Sequence, residues 1–194
     1  MRQSTQWSSE AGEARGRILE MAREEIIREG WAAATSGRVA RRAGVSKALI
    51  HYHFQDKDSL LSAVAAQCRD NVISRGARKE TPRAHPNPVD GFGEWLESEL
   101  AAQDLCIALQ LRGSGSVPVV HAAEAVLTVV RSEMEHQVDR VFGVLELAPA
   151  ISSESVVDLF MTLAEGAALV SIEPVARLRR MVDTVWLSLL SVSE

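Results

Sequence analysis

The sequence predicts an all-α fold, and three observations support that prediction. Apolar residues recur every three or four positions in one segment after another, which is the spacing of one face of an α-helix. No segment alternates polar and apolar residues over the length of a strand. Gly and Pro clusters separate the helical segments. With 194 residues, 46% of them hydrophobic, the chain can bury a sizeable core, as one large domain or as a small domain joined to a larger one.

The first predicted helix lies in the segment EARGRILEMAREEIIREGW, and Gly30 is its expected end signal. Its apolar face is formed by Ile18, Leu19, Ala22, Ile26 and Ile27. We expect the residues before it, 1–12, to form a flexible tail.

Two short helices follow, and the connection between them is highly informative. Thr35 or Ser36 is expected to cap the first short helix, and Gly44 occupies the position after its last turn. Ser46 is expected to cap the second, KALIHYHF. A Gly-containing connection of three or four residues between two short helices is typical of a helix-turn-helix.

The second of these short helices is expected to have one buried and one exposed side. Leu49 or Ile50, together with Phe54, would be buried and hold it in place. Its exposed side would carry Lys47, Ala48, His51 and Tyr52. A helix of two turns is narrow enough to enter the major groove of DNA.

Longer helical segments make up the rest of the chain. A fourth helix is expected from its cap, Asp56, to about Lys79, and residues 80–90, with three of the six prolines, are expected to form a loop. Beyond the loop, helical patterns occupy residues 91–113, 119–145, 154–170 and 173–191. The sequence thus predicts a three-helix head followed by five or six longer helices.

The charges are distributed unevenly along a chain whose net charge is −5. Residues 35–57 carry five basic residues and one acidic residue, a net charge of +4. Residues 61–194 carry 11 basic and 18 acidic residues, a net charge of −7. A local basic face is what a contact with nucleic acid requires, because clustered cations neutralise phosphates and release counterions.

Several other classes of protein find little support in the sequence. The amino terminus, MRQSTQWSSE, lacks the apolar run of a signal peptide, and charge or Gly interrupts every apolar stretch before it could span a bilayer. Cys68 and Cys106 are too few and too far apart for a disulfide framework or a metal cluster. His51 and His53 are two positions apart on a helix and point to different sides, which suits metal binding poorly. We expect a cytoplasmic protein with no membrane partner, no metal, no cofactor and no catalytic residues.

The motifs AGVSK, YHF and DK, within EGWAAATSGRVARRAGVSKALIHYHFQDKDSLL, resemble the amino-terminal domain of TetR-family transcriptional regulators. The resemblance covers about Glu13 to Val64. It implies a helix-turn-helix DNA-binding domain at residues 13–56, followed by a helical effector-binding and dimerisation domain at residues 57–194. The carboxy-terminal part matches the family only in length, helical content and order of helices.

The sequence departs from the family pattern at the third helix. His51 stands where the family usually has a Tyr that contacts a phosphate, so His51 is expected to reach the phosphate differently or to contact a base edge. Ala48 and Leu49 are apolar, which disfavours hydrogen-bonded reading by these two positions and favours contact with a thymine methyl group.

We predict DNA contacts from the start of the second helix, the exposed side of the third and the start of the fourth. The predicted residues are Thr35, Ser36, Arg38, Ser46, Lys47, Ala48, His51, Tyr52 and Lys57. Free amides at the start of the second helix can bind a phosphate, and the third helix supplies sequence information. Lys57 lies in the first turn of a helix, where the macrodipole disfavours a cation, so a phosphate would complete its site.

Each of these charges has an ordinary alternative. Lys47 and Lys57 could be solvated surface charges. Arg38, with the neighbouring Arg41 and Arg42, could equally well face solvent or pair with Glu24, Glu25 or Glu29.

The last two helices are apolar over more than one face, which predicts a homodimer in which two helices of each subunit form a four-helix bundle. The predicted interface residues are Val156, Phe160, Leu163, Ala167, Leu178, Val182, Val185, Trp186 and Leu189. The alternative is an ordinary buried hairpin in a monomer. A dimer is expected because one two-turn helix contacts too few base pairs, whereas two read a palindrome.

The segment between the head and these last helices is apolar with a few polar groups, as in a ligand pocket. The pocket candidates are Trp95, Gln110, His121 and Glu124, each of which could instead be core or surface. The resemblance implies an unknown small-molecule effector that releases the protein from a palindromic double-stranded DNA operator, most often in repression. The alternative function is a helical small-molecule carrier without DNA binding.

Overall fold

The computed structural model describes residues 2–79, 87–146, 151–170 and 174–191, and within these ranges every regular element is helical. The helices in chain order are α1 (Arg2–Glu29), α2 (Ser36–Ala43), α3 (Lys47–His53), α4 (Lys57–Lys79), α5 (Pro88–Ala102), α6 (Asp104–Arg112), α7 (Val117–Leu145), α8 (Ser153–Leu169) and α9 (Pro174–Ser191). A 3₁₀ turn, Trp31–Ala33, joins α1 to α2. The predicted all-α fold is confirmed.

The start of α1 differs from the sequence prediction. α1 begins at Arg2 and so includes residues for which a flexible tail was expected at 1–12. The segment contains no proline, and its one glycine, Gly12, weakens a helix without ending it. The helix ends at Glu29, before Gly30, whose φ of 85° few other residues adopt. The division into domains at residues 13–56 and 57–194 stays a prediction.

The capping residues of the two short helices are those that the sequence predicts. The Thr35 hydroxyl accepts a hydrogen bond from the Arg38 amide at the start of α2. The Ser46 hydroxyl accepts one from the Leu49 amide at the start of α3, at 3.1 Å. Gly44 follows α2 with φ 66°, a left-handed conformation that favours glycine. These three residues fix the turn between α2 and α3.

α4 also begins as predicted, because the Asp56 carboxylate accepts a hydrogen bond of 2.7 Å from the Ser59 amide. That hydrogen bond lowers the pKa of Asp56 below its ordinary value. Leu60, Leu61, Val64, Cys68 and Val72 form the buried side of α4. Burial raises the pKa of the Cys68 thiol far above its ordinary value, so this cysteine is a core residue rather than a reactive one.

Helix boundaries differ from the sequence prediction around the prolines. Residues 80–86 of the predicted loop lie outside the described residues, and 88–90 are helical rather than loop. α5 begins at Pro88 because proline fits the first helical position, and the Asn87 side chain caps it by accepting from the Val89 amide.

The segment predicted as one helical stretch, 91–113, is two helices. Gln103 adopts a left-handed φ of 62° and separates α5 from α6. α7 begins at Val117, slightly before the predicted residue 119, because Pro118 fits its first turn.

An aromatic cluster forms the core between α5, α7, α8 and α9. The Trp186 ring lies 5.3 Å from Phe92, 5.7 Å from Phe142 and 5.3 Å from Phe160, measured between ring centroids. Trp186, Phe92 and Phe160 are almost completely buried. These large rings bring the four helices together around one centre.

Buried ion pairs join α1 to the helices behind the head. Asp104, at the start of α6, is 1% exposed and pairs with Arg23 of α1 and, at 2.7 Å, with Arg75 of α4. Arg75 also pairs with Glu99 of α5 at 2.6 Å, and Arg23 donates to the Ala102 carbonyl. Four helices are therefore held at one point by charged groups that satisfy one another, which is the condition for burying them.

Candidate nucleic-acid interface

The exposed side of α3 carries the residues that the sequence predicts. Lys47, Ala48, His51 and Tyr52 are all exposed, and Tyr52 has 79% of its surface open to solvent. Ile50 is fully buried. The predicted orientation of α3 is therefore confirmed.

The other side of α3 is fixed by packing and hydrogen bonds. Phe54 is 3% exposed, and its amide donates to the Ile50 carbonyl at 2.7 Å. The Arg15 guanidinium of α1 lies 5.3 Å from the centroid of the Phe54 ring. The Val45 amide donates to the Ala40 carbonyl at 3.0 Å and closes the turn from α2. α3 is thus a short helix with a fixed orientation and a free polar side.

The two histidines of α3 have different surroundings. His51 is exposed, and its Nδ1 lies 3.3 Å from the Gln55 carbonyl oxygen, just beyond the helix. His53 is half-buried, and its ring meets Tyr52 edge-on with 5.1 Å between centroids. Only His51 therefore belongs to the exposed surface beside Lys47.

The first turn of α2 precedes α3 in the sequence. Some of its predicted phosphate-binding groups are exposed. Thr35 and Gly37 are exposed, and Ser36 is half-buried. The Thr35 hydroxyl accepts a hydrogen bond from the Arg38 amide and so caps the helix. Its own O–H can still donate to a phosphate. Binding of a phosphate by the remaining first-turn amides stays a prediction.

The arginines of α2 are largely engaged in ion pairs. Arg38 and Arg42 both pair with Glu25 of α1, whose side chain is 1% exposed, and Arg42 also pairs with Glu24. This confirms the alternative in which these arginines pair with the glutamates of α1. Arg41 is exposed and forms no ion pair within the described parts of the chain. Arg38 is accordingly a structural residue first, and its predicted DNA contact stays a prediction.

Lys57 has two partners that the sequence analysis missed. Its Nζ donates a hydrogen bond of 2.8 Å to the Ala32 carbonyl and lies 4.9 Å from the centroid of the Trp31 ring. A carbonyl and an aromatic face therefore account for a cation in the first turn of α4 without any phosphate. The available signal was Trp31 itself, a large aromatic residue after a glycine.

The predicted pocket residues differ in burial. Trp95 is buried near Phe92 in the aromatic cluster, whereas His121 and Glu124 are exposed on α7. Gln110 is half-buried on α6, with its Nε2 3.6 Å from the Cys106 sulfur. The assignment of these four residues to one ligand pocket stays a prediction.

The predicted dimer interface needs a correction in its choice of face. Five of its residues are buried inside their own chain, each 1% exposed or less: Val156, Phe160, Leu178, Val182 and Trp186. The other four, Leu163, Ala167, Val185 and Leu189, are half-buried. Apolar residues at helical spacing are found both in a core and in an interface. In α8 and α9 the apolar side with the most residues faces the core of its own chain.

The outer face of α8 and α9 nevertheless carries exposed apolar side chains among polar ones. An open groove between the two helices is lined by Leu159, Leu163, Arg180, Met181, Thr184 and Val185. Leu159 and Met181 are 42% and 40% exposed, which is unusual for side chains of their size when they lie side by side.

The amino-terminal part of the chain matches a known sequence family. Residues 18–64 match the sequence model of the family described as bacterial regulatory proteins, tetR family. The match covers about a quarter of the chain, so this segment is similar to the TetR family. Its helix-turn-helix is the α2–α3 pair described above.

Two curated relatives illustrate the extent of the likeness. The chain is 39% identical over 59 residues to the HTH-type transcriptional regulator SrpR of Pseudomonas putida, which covers 30% of this chain and 28% of that protein. It is 40% identical over 93 residues to the HTH-type transcriptional activator FasR of Mycolicibacterium smegmatis, which covers 45% of this chain and 42% of that protein. The matches span less than half the length of these relatives.

Solved structures extend the likeness to the whole TetR-type fold. A TetR-family regulator from Agrobacterium tumefaciens matches with a TM-score of 0.74 and 20% identity, over 90% of this chain and 98% of that chain. The regulator FadR from Bacillus subtilis, solved in complex with stearoyl-CoA, matches with a TM-score of 0.69 and 14% identity, over 86% of this chain and 95% of that chain. At these identities the comparison shows the fold.

Two further findings concern membrane spans and metal sites. None of the described helices is long and apolar enough to cross a bilayer. Within the same residues, no three His, Cys, Asp or Glu side chains are grouped as metal ligands.

Proposed function

We propose that this protein is a transcriptional regulator that binds double-stranded DNA through α3. One observation carries the proposal: α3 is anchored by Ile50 and Phe54, and its opposite side offers Lys47, His51 and Tyr52 to solvent. The same segment is the basic part of an acidic chain and matches the TetR family. A rigid helix with a free polar side suits insertion into a major groove.

The proposed DNA contacts fall into two groups. Lys47, Ala48, His51 and Tyr52 occupy the exposed side of α3, where Ala48, His51 and Tyr52 face base edges and Lys47 contacts a flanking phosphate. Further contacts to phosphates come from Thr35, Ser36, Arg38, Ser46 and Lys57. For Arg38 and Lys57 this role is secondary to their contacts with Glu25 and Trp31.

We propose that two copies associate through the outer face of α8 and α9. Leu159, Leu163, Met181 and Val185 supply an apolar strip on each chain, and a two-fold axis would place the same strip on both partners. Two copies of α3 would then read the halves of a palindromic operator, which lengthens the recognised sequence. This interface replaces the buried residues that the sequence analysis assigned to the dimer.

We propose that a small molecule bound by the helices behind the head shifts the population between DNA-binding and released forms. The fold match to FadR, whose structure contains stearoyl-CoA, supports a small-molecule ligand for this protein. We propose that the regulation is repression. We also propose that the protein acts in the cytoplasm, where the DNA lies. The relative FasR is named an activator, so a reporter assay decides the direction of regulation.

The deciding experiment is duplex binding at several salt concentrations. A DNA-binding regulator should select a sequence from a random duplex pool, and its affinity should fall steeply as salt rises. Lys47→Ala should reduce the salt dependence, whereas Arg140→Ala, which removes an exposed cation from α7, should not. A small-molecule carrier would bind no duplex selectively, and this result would reject the proposal.

A further inference from the structure

The contact between the His51 ring and a backbone carbonyl favours one of the two tautomers of the ring. Nδ1 lies 3.3 Å from the Gln55 carbonyl oxygen, and a carbonyl oxygen only accepts hydrogen bonds. Nδ1 must therefore be the donor, which leaves Nε2 of the neutral ring with a lone pair. The exposed His51 ring thus presents an acceptor on the side of α3 that also carries Lys47.

An acceptor at this position can bind only some of the groups that DNA offers. In the major groove, hydrogen-bond donors are the exocyclic amino groups, N6 of adenine and N4 of cytosine. Guanine and thymine present acceptors there, and phosphates carry acceptors only. Neutral His51 therefore matches an amino group and cannot donate from Nε2 to a phosphate.

We infer that His51 is a specificity-determining residue that accepts a hydrogen bond from the amino group of an adenine or a cytosine in the major groove. The inference rests on the proposed DNA-binding function. It assigns complementary chemistry along α3, since Lys47 can only donate, Ala48 offers an apolar contact and His51 accepts.

The first test needs no DNA. Long-range proton–nitrogen NMR spectra of the full chain, recorded at about pH 8.5 where histidine rings are neutral, distinguish the two tautomers. His51 should carry its proton on Nδ1. His121, exposed on α7 and without a hydrogen-bond partner in the described residues, is the control and should favour the Nε2–H form that free histidine prefers. A His51 ring with its proton on Nε2 would overturn the inference.

The second test measures base preference. Selection from a random duplex pool should give adenine or cytosine at one symmetric position in each half-site, with guanine or thymine binding about three- to tenfold more weakly. His51→Phe keeps a ring without nitrogens and should lose the preference at that position alone. Replacing the selected adenine by 2-aminopurine, or the selected cytosine by 2-pyrimidinone, removes the amino group from the major groove. The replacement should weaken DNA binding by the original protein but not by the His51→Phe variant.

The outcomes separate this inference from the proposed function. Salt-dependent, sequence-selective binding that is unchanged in His51→Phe would overturn the role of His51 and leave the regulator intact. A selected guanine or thymine at the position sensitive to His51 would do the same. Failure of the original protein to bind any duplex would reject both.

Discussion

α3 and α9 are built by the same helical period but differ in the apolar surface that they expose. α3 buries Ile50 and exposes Lys47 and His51, which are polar. α9 buries Trp186 and exposes Met181, which is apolar and lies in the groove beside α8. The buried stripe in each helix stabilises the chain itself, whereas the exposed side indicates the kind of partner. A polar, basic side suits nucleic acid, and an apolar side suits a second protein surface.

The largest expected effect tests which side of α9 belongs to the core. Trp186→Ala removes a fully buried ring that contacts three aromatic neighbours, and it should lower the free energy of unfolding by about 3–5 kcal/mol. Leu187→Ala, one position later with 68% of its surface exposed, should change it by less than about 0.5 kcal/mol. Urea unfolding at one fixed chain concentration measures both.

If Trp186→Ala instead left unfolding unchanged and only separated the subunits, the buried side of α9 would be the interface. The comparison between core side and partner side would then be reversed.

The next effect concerns the exposed side of α9. Met181→Glu places a charge in the groove on each of two copies and should raise the dissociation constant of the dimer at least about a hundredfold. Val117→Glu makes the same change at an apolar residue that is 80% exposed outside the groove, and it should leave association unchanged. Sedimentation at several dilutions gives the constants, and equal values for the two variants would rule out this face as the interface.

A third experiment separates two lysines that look alike in the sequence. Lys47→Ala removes an exposed cation of α3, so it should lower the slope of log affinity against log salt by about one and leave Tm unchanged. Lys57→Ala removes the contacts with Ala32 and Trp31 and should lower Tm by about 2–4 °C. Melting curves and DNA titrations on the same preparations provide the comparison. A Tm loss for Lys47→Ala, with none for Lys57→Ala, would exchange the two assignments.

The smallest expected effect probes the turn that orients α3. Gly44→Ala forces a left-handed φ of 66° on a residue with a side chain and should lower the free energy of unfolding by about 1 kcal/mol. Gly37→Ala lies in α2, where the added methyl group meets nothing within 4 Å, and should raise it by up to about 1 kcal/mol. Equal effects of the two changes would show that the turn does not depend on its glycine.

Local chemistry explains why the head was predictable. Caps such as Thr35 and Ser46 act on amides two or three residues away, and Gly44 is needed for a conformation of its own backbone. The bounds of α3 and its exposed side followed from these short-range rules together with a specific motif. The pairing of Arg42 with α1 was predicted only as one of two alternatives, because it depends on how two helices cross.

Tertiary packing determines which residues are buried, and the sequence could not predict this in several places. The period of α9 marks an apolar stripe but does not show whether that stripe meets its own chain or another, so Leu178 and Val182 were assigned to the wrong surface. Likewise, Trp95 and His121 lie in segments of similar composition, yet one is buried and the other exposed. The contact of Lys57 with Trp31 joins residues from different elements, and no local rule connects them.

The pairing of Asp104 with both Arg23 and Arg75 constrains how this protein can diverge. Loss of Asp104 leaves Arg23, which is largely buried, without its ion-pair partner, and loss of Arg23 or Arg75 leaves the buried Asp104 with one partner instead of two. A buried charge that loses its partner costs about 3–5 kcal/mol. Descendants of this chain should therefore either keep all three or replace them together with uncharged residues. In a set of orthologues, these positions should consequently vary as a correlated group, while Val117 or Leu187 drifts independently.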